Sequence, residues 1–223
     1  MGLVAATETA HTGLSVRGRR AARVSGDDRE RRIVATAERL LDIQPLHDIT
    51  VDDLARGAGI SRSTFYFYFA SKEQVLLSLL DRLVQEQLQD ERESPGDLAD
   101  DPVLAWRHVL GSSYARWSAH RGVLRAVVAA RATSAEVAHV WGRLLARFVE
   151  RTTLAIEAER ARGAAPAGVP ARDLAICLNR MNEKVFEAMA TGAQPAIAEE
   201  HTLDALVGAW LGAIYGSTRF TTA

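Results

Sequence analysis

The chain has 223 residues, 48% of them hydrophobic and 25% charged, and a formal net charge of −1. That length leaves room for one large domain or a small one joined to a larger one, in an ordinary globular composition. One cysteine, Cys177, excludes an internal disulfide. No apolar run approaches the roughly 20 residues of a bilayer-spanning helix, and the first twenty residues lack the apolar stretch of a signal peptide. A cytoplasmic protein with no membrane partner is therefore expected.

In chain order, residues 1–24 show no apolar periodicity and read as a flexible basic arm. RGRRAARVSGDDRERR (17–32) holds seven arginines against three acids, which on charge alone is a solvated tail. Ile33, Val34, Ala37, Leu40 and Leu41 then recur at the spacing of one helix face. Asp27 and Asp28 fall in the expected first turn, where the helix dipole favours acids, and Pro45 is the stop. Thr50, with Asp53 three residues on, suits a capping-box start. Gly57 and Gly59 end that short helix, and Ser61 caps the next. After Ser71, the set Val75, Leu76, Leu79, Leu80 and Leu83 marks a long amphipathic helix. Residues 25–70 thus read as a helix-turn-helix on a supporting helix, the kind of unit that places its second helix in a DNA major groove.

Residues 71–223 read as a second, wholly helical domain, with segments near 101–118, 121–132, 135–162, 171–191 and 199–216. None alternates with period two, so the fold class is all-α. Segments 135–162 and 199–216 carry apolar residues on more than one side and are expected to be well buried.

The stretch GISRSTFYFYF (59–69) sets a sharper problem, with five consecutive aromatics after a polar run. At 100° per residue Phe65 and Phe69 share a face and belong to the core. Ser63, Thr64 and Phe67 point away from it, flanked by Tyr66 and Tyr68. So short a helix cannot bury all five rings, which leaves Tyr66 and Phe67 for surface contact. Ser61, Arg62, Ser63 and Thr64 at the helix start can reach base edges and phosphates, and tyrosine hydroxyls can donate to phosphate.

TVDDLARGAGISRSTFYFYFASKEQVLLSLL (50–80) resembles the DNA-binding region of the TetR family of repressors. The family pattern A-x-x-A-G-[IV]-S, T-[LF]-Y-x-[HY]-F and S-K is met by Ala55, Ala58, Gly59, Ile60 and Ser61, by Thr64, Phe65, Tyr66, Tyr68 and Phe69, and by Ser71 and Lys72. The motifs RGRR, SGDDRE, AARATS, AERARGAAP and LNRMNE extend a similarity to the EthR-type repressors over nearly the whole chain. The resemblance implies a TetR-like fold. It places Thr50, Ser61, Ser63, Thr64, Tyr66, Tyr68 and Lys72 where the family contacts operator DNA, Lys72 as a point charge on phosphate. It also makes Arg17, Arg19 and Arg20 a basic arm able to enter an adjacent minor groove.

All four tryptophans lie outside the helix-turn-helix. Trp106, Val109, Leu110, Ser113 and Trp117 follow helical spacing, as do Trp141, Leu145, Phe148 and Thr152. Asn179, Asn182, Glu183 and Phe186 share a face, and Trp210 lies in the last segment. Taken alone, aromatic stripes are more often plain core, and the two asparagines could serve loop backbone groups. Polar residues on such faces also suit an apolar ligand pocket with a few convergent polar groups. The resemblance implies that pocket, a small hydrophobic effector, and Asn182 as the ligand's hydrogen-bond partner. Arg151 and Glu187 stand where apolar wall residues are expected; pairing with each other, a shorter tunnel or a more polar ligand would account for them. Gly208, Gly212 and Gly216, with Ala209 and Ala213, form a small-residue stripe that predicts a homodimer through the last two helices.

Catalysis is not expected. The six histidines are scattered without metal-ligand spacing, Cys177 lacks a nucleophile's context, and GAGIS has no P-loop lysine. No metal or cofactor is predicted. The sum is a DNA-binding regulator released by a hydrophobic ligand, with a solid-cored DNA-binding protein or a helical ligand carrier as rivals.

Overall fold

A computed structural model describes the backbone of residues 16–92 and 98–216, and the side chains of 26–86 and 98–216. Among the described residues there are nine α-helices and no strand. The head is α1 (Val16–Ile43), α2 (Val51–Ala58) and α3 (Arg62–Tyr68); α4 (Lys72–Arg92) leads out of it. The larger body holds α5 (Pro102–Ala119), α6 (Arg121–Ala130), α7 (Ala135–Ala161), α8 (Ala171–Thr191) and α9 (Glu199–Tyr215).

Local chemistry sets the head. The Thr50 hydroxyl accepts from the Asp53 N–H at 3.1 Å, and the Asp53 carboxylate accepts from the Thr50 N–H at 3.0 Å, a reciprocal capping box at the start of α2. Those bonds from Thr50 hold the Asp53 carboxyl below its usual range. Gly59 ends α2 at φ +68° and donates its N–H to the Ala55 and Arg56 carbonyls, a left-handed turn that glycine enters without a Cβ penalty. Ser61 opens α3 by accepting from the Thr64 N–H at 3.1 Å. Phe65 and Phe69 close the middle of this triangle with Ile33, Leu41 and Leu54, all buried. The stripe Val75, Leu76, Leu79, Leu80 and Leu83 on α4 is buried throughout and continues this core into the body.

Two expectations need correction. Helix α1 begins at Val16, so residues 16–24, assigned to an arm, are helical. Ser25-Gly26-Asp27 looks like a helix start, yet the chain runs through it. The arginines and alanines upstream are strong helix formers and outweigh the two glycines, Gly18 and Gly26. Nor are α7 and α9 buried on more than one side within the chain. Leu154 is exposed on α7, Ala205, Ala209 and Ala213 are exposed on α9, and a Cβ built on Gly208 would meet nothing within 4 Å.

Candidate DNA-reading face and ligand cavity

On α3 the aromatic run divides as its helical angles require. Phe65 is 0% exposed and Phe69 6%, whereas Tyr66 is 47% and Phe67 83% exposed. Tyr68 is half-buried and lies edge-on to Phe67, with ring centroids 5.2 Å apart. The Ser61 hydroxyl lies 2.9 Å from that of Ser63 and 2.8 Å from that of Thr64. This cluster keeps three hydroxyls together at the start of the helix. Thr50 and Ser61 are committed to their caps. Arg62 donates to Asp52 at 3.0 Å and to the Tyr66 hydroxyl at 3.4 Å. The Tyr66 bond, then the Asp52 charge, push its pKa above the ordinary arginine value. Arg17, Arg19 and Arg20 belong to α1, but their side chains lie outside the described residues.

Lys72 does something other than expected. Its ammonium donates to the carbonyls of Leu46, His47 and Ile49 at 2.8, 3.1 and 3.0 Å. An ammonium has three donors, and all three go to the turn between α1 and α2, so none remains for a phosphate. Lys72→Met is expected to lower the stability of the DNA-free protein by about 2 kcal/mol in denaturant melts, the size of lost charge-assisted bonds. A phosphate contact would instead leave that stability unchanged and reduce the salt dependence of DNA binding by roughly one counterion.

In the body, α5, α6, α7, α8 and α9 enclose a cavity of about 860 Å³. All fourteen residues predicted for a ligand pocket line this one space. Trp106 and Trp210 sit together at 5.0 Å between ring centroids, Trp117 and Trp141 at 5.7 Å. The wall is mainly apolar, and its polar groups are ordered. The Asn179 amide nitrogen donates to the Thr152 hydroxyl at 3.0 Å and the Ala175 carbonyl at 2.9 Å, which uses both its hydrogens. Asn182 is different. Trp210 Nε1–H, a donor only, bonds Asn182 Oδ1 at 3.0 Å. That contact fixes the amide so that its NH₂ is left over, and among the described residues nothing accepts from it.

Two buried carboxylates line the cavity. Glu183 accepts from Trp141 Nε1 at 2.7 Å and from Arg180 at 2.8 Å, and it also pairs with Arg131. Burial alone would raise its pKa, but the bonds from Arg180, Trp141 and Arg131 outweigh it and hold the carboxyl low. Glu159, only 2% exposed, accepts from Arg162 at 2.6 and 2.7 Å and from the Tyr215 hydroxyl at 2.8 Å. Burial, then the Glu159 bond, push the Tyr215 phenol far up and keep it protonated. Glu187 does not form the pair with Arg151 considered from the sequence; it binds Arg131 at 3.3 Å and Lys184 at 2.9 Å.

Sequence reasoning passed over the joint between the two sites. Leu124 on α6 lines the cavity. Two residues earlier, Gly122 lies against α1 so closely that a Cβ there would be 2.5 Å from the Leu41 carbonyl oxygen. Arg125 donates to the same carbonyl at 2.9 Å. His120 Nδ1 lies 2.7 Å from Glu38 of α1, which Arg82 of α4 also holds. A glycine just inside a helix start was the one available signal of close approach.

Comparison with known proteins agrees with this layout. Residues 33–79 match the tetR family of bacterial regulatory proteins, and residues 106–216 match the C-terminal domain of the transcriptional regulator EthR. The HTH-type transcriptional regulator EthR of Mycobacterium tuberculosis is 52% identical over 206 residues, covering 91% of this chain and 94% of the relative. Its counterpart in Mycolicibacterium smegmatis is 44% identical over 215 residues, covering 96% and 99%. Among solved structures, SmeT, the repressor of the Stenotrophomonas maltophilia efflux pump SmeDEF, superposes with a TM-score of 0.67 at 17% identity, covering 87% of this chain and 94% of SmeT. The fatty acid degradation regulator FadR of Bacillus halodurans gives 0.66 at 14%, covering 86% and 97%. At those identities the two structures speak for the fold alone. Among the described residues no helix is long and apolar enough to cross a membrane, and no cluster could hold a metal. The chain belongs to the TetR family of bacterial transcriptional regulators, among its EthR-type members.

Proposed function

We propose that the chain is one subunit of a homodimeric, cytoplasmic repressor that reads a palindromic operator through α3 and releases it when an elongated hydrophobic ligand fills the cavity. The observation that carries this reading is the short helix α6, which touches the cavity through Leu124 and the head through Gly122 and Arg125. A ligand that pushes Leu124 moves the helix on which the α1 end rests, and α1 carries the reading helix with it. Helix α4 is the second route, since it leaves the head directly. Ligand lowers operator affinity only by binding the displaced arrangement better than the DNA-bound one.

Dimerisation through α8 and α9 supplies the second head. The exposed Ala205, Ala209 and Ala213 with the open Gly208 leave α9 a low outer face on which a partner helix can approach closely. A two-fold pair of heads then reads half-sites about one helical turn of DNA apart. In the cavity, Asn182 offers its amide hydrogens to a ligand carbonyl or ether oxygen, while Asn179 braces the wall.

Fluorescence anisotropy tests the whole reading, with DNA from upstream of the chain's own and neighbouring genes against random DNA across a salt series. Tight, sequence-dependent binding that a hydrophobic ligand reverses is the expected result. Asn182→Ala is expected to raise the ligand concentration needed for release about 10-fold, as a lost hydrogen bond implies, with ligand-free DNA binding intact. Equal loss of both would remove Asn182 from the ligand site.

A further inference from the structure

The lining of the cavity changes from one end to the other. Trp117, Leu124 and Trp141, at the end formed with α6, are buried. Among the described residues, the exposed members of the lining are Ala99, Arg151, Ala158 and Arg162. Three of these form one stripe along α7, together with the half-buried Ala155. Ala99 stands just before α5. The alanines put little bulk on that flank, so the cavity meets solvent between α7 and the segment 98–101.

That segment is a strap with two anchors. Leu98 is half-buried and packs against the hydrophobic core. Its carbonyl accepts from Arg162 Nη2 at 3.0 Å. The same nitrogen donates to Glu159 Oε2 at 2.6 Å, and Arg162 Nε donates to Glu159 Oε1 at 2.7 Å. A guanidinium NH₂ has two hydrogens, so this one nitrogen ties the strap to a carboxylate that is buried and fixed. Glu159 also accepts from the Tyr215 hydroxyl at 2.8 Å, and that hydroxyl accepts from Trp106 Nε1 at 3.1 Å. At the other end, the Asp101 carboxylate accepts from the Leu104 N–H at 2.9 Å and caps α5. Ala99 and Asp100, between the anchors, are exposed.

The anchors differ in kind. The Asp101 cap belongs to a helix end and persists as long as α5 does. The Arg162–Leu98 bond joins segments 64 positions apart through one contact, and it can open while both helices stay intact. A long ligand reaching Leu124 has to pass this point, because no other part of the described lining is exposed.

We propose that residues 98–101 are the gate of the cavity and Arg162 is its latch, so that a ligand enters and leaves when the bond to the Leu98 carbonyl opens. This inference rests on the reading of the cavity as the ligand site. It makes the latch a control on how fast an effector exchanges, and leaves its affinity to the deeper walls.

The test is stopped-flow fluorescence of the full-length protein with methyl dodecanoate, kept below its aggregation limit. All four tryptophans line the cavity, so their emission reports probe binding. Arg162→Met is expected to raise the association and dissociation rate constants together, each about 10-fold, the size of a lost charge-assisted bond, with Kd changed by less than about 2-fold. Leu98→Ala keeps the Arg162–Glu159 pair and thins the strap, and is expected to raise both rates by a smaller factor. It decides the matter alone if Arg162→Met, which leaves a buried carboxylate without its cation, does not fold. Wild-type rates in Leu98→Ala, or faster dissociation with unchanged association, overturn the gate and make these residues plain wall, while probe binding leaves the ligand site standing. No fluorescence change in the wild type overturns the site and the gate together.

Discussion

Phe65→Ala is expected to lower stability by about 4 kcal/mol, the usual size of a large aromatic lost from a core, and to abolish DNA binding with it. Phe67→Ala, two residues away, is expected to change stability by no more than about 0.5 kcal/mol and still weaken operator binding. The difference follows from exposure. Phe65 is fully buried and packs against Phe69 at 6.0 Å between ring centroids, whereas Phe67 is 83% exposed. Urea melts of the DNA-free protein beside anisotropy titrations separate the two effects. A Phe67→Ala protein that melts early would place this ring in the core and remove it from the reading face.

Gly122→Ala is expected to weaken operator binding at least 10-fold while probe binding in the cavity persists. The new Cβ would sit 2.5 Å from the Leu41 carbonyl oxygen, 2.6 Å from its carbon and 2.7 Å from the Asp42 carboxylate. Two of those three atoms are backbone and cannot rotate away, so α6 and α1 must part, at about 1–3 kcal/mol for overpacking of this kind. Parting them breaks the Arg125 bond to the same carbonyl and tilts the head. Tryptophan fluorescence follows the cavity, and DNA anisotropy follows the head. If both stay at wild-type values, α6 is not the link, and α4 must carry the coupling alone.

Much of this was legible in the sequence because its signals are local. The Thr50–Asp53 box, the left-handed turn at Gly59 and the Ser61 cap each lie within four residues of what they organise. The cavity wall was legible for a second reason: residues three or four apart on a helix share a face, and EthR-type similarity marked those faces as a pocket instead of a packed core. What escaped depends on contacts between distant segments. Lys72 looked like a phosphate ligand until the carbonyls of Leu46, His47 and Ile49, more than 20 positions upstream, were found around its ammonium. Glu187 went to Arg131 instead of Arg151 because of how α6, α7 and α8 pack, which no helical period encodes. Gly122 fell inside the helical segment expected near 121–132, and only the nearness of Leu41 reveals why a side chain is absent there. The start of α1 was missed in the opposite direction, where the acids Asp27 and Asp28, expected in a first turn, sit inside a helix that helix-forming neighbours extend upstream.

The Arg62–Asp52 pair bears on how such a protein searches a genome. With no DNA present, the guanidinium at the front of the reading helix already holds an anion, in a bond of 3.0 Å. Contact with a phosphate is then a trade of one oxygen for another, with little net gain on arbitrary DNA. Only a site that also engages the hydroxyl cluster and the outward rings tips the trade. If α3 reads DNA as proposed, the carboxylate on α2 would compete with phosphate for the guanidinium and weaken binding to arbitrary DNA the most.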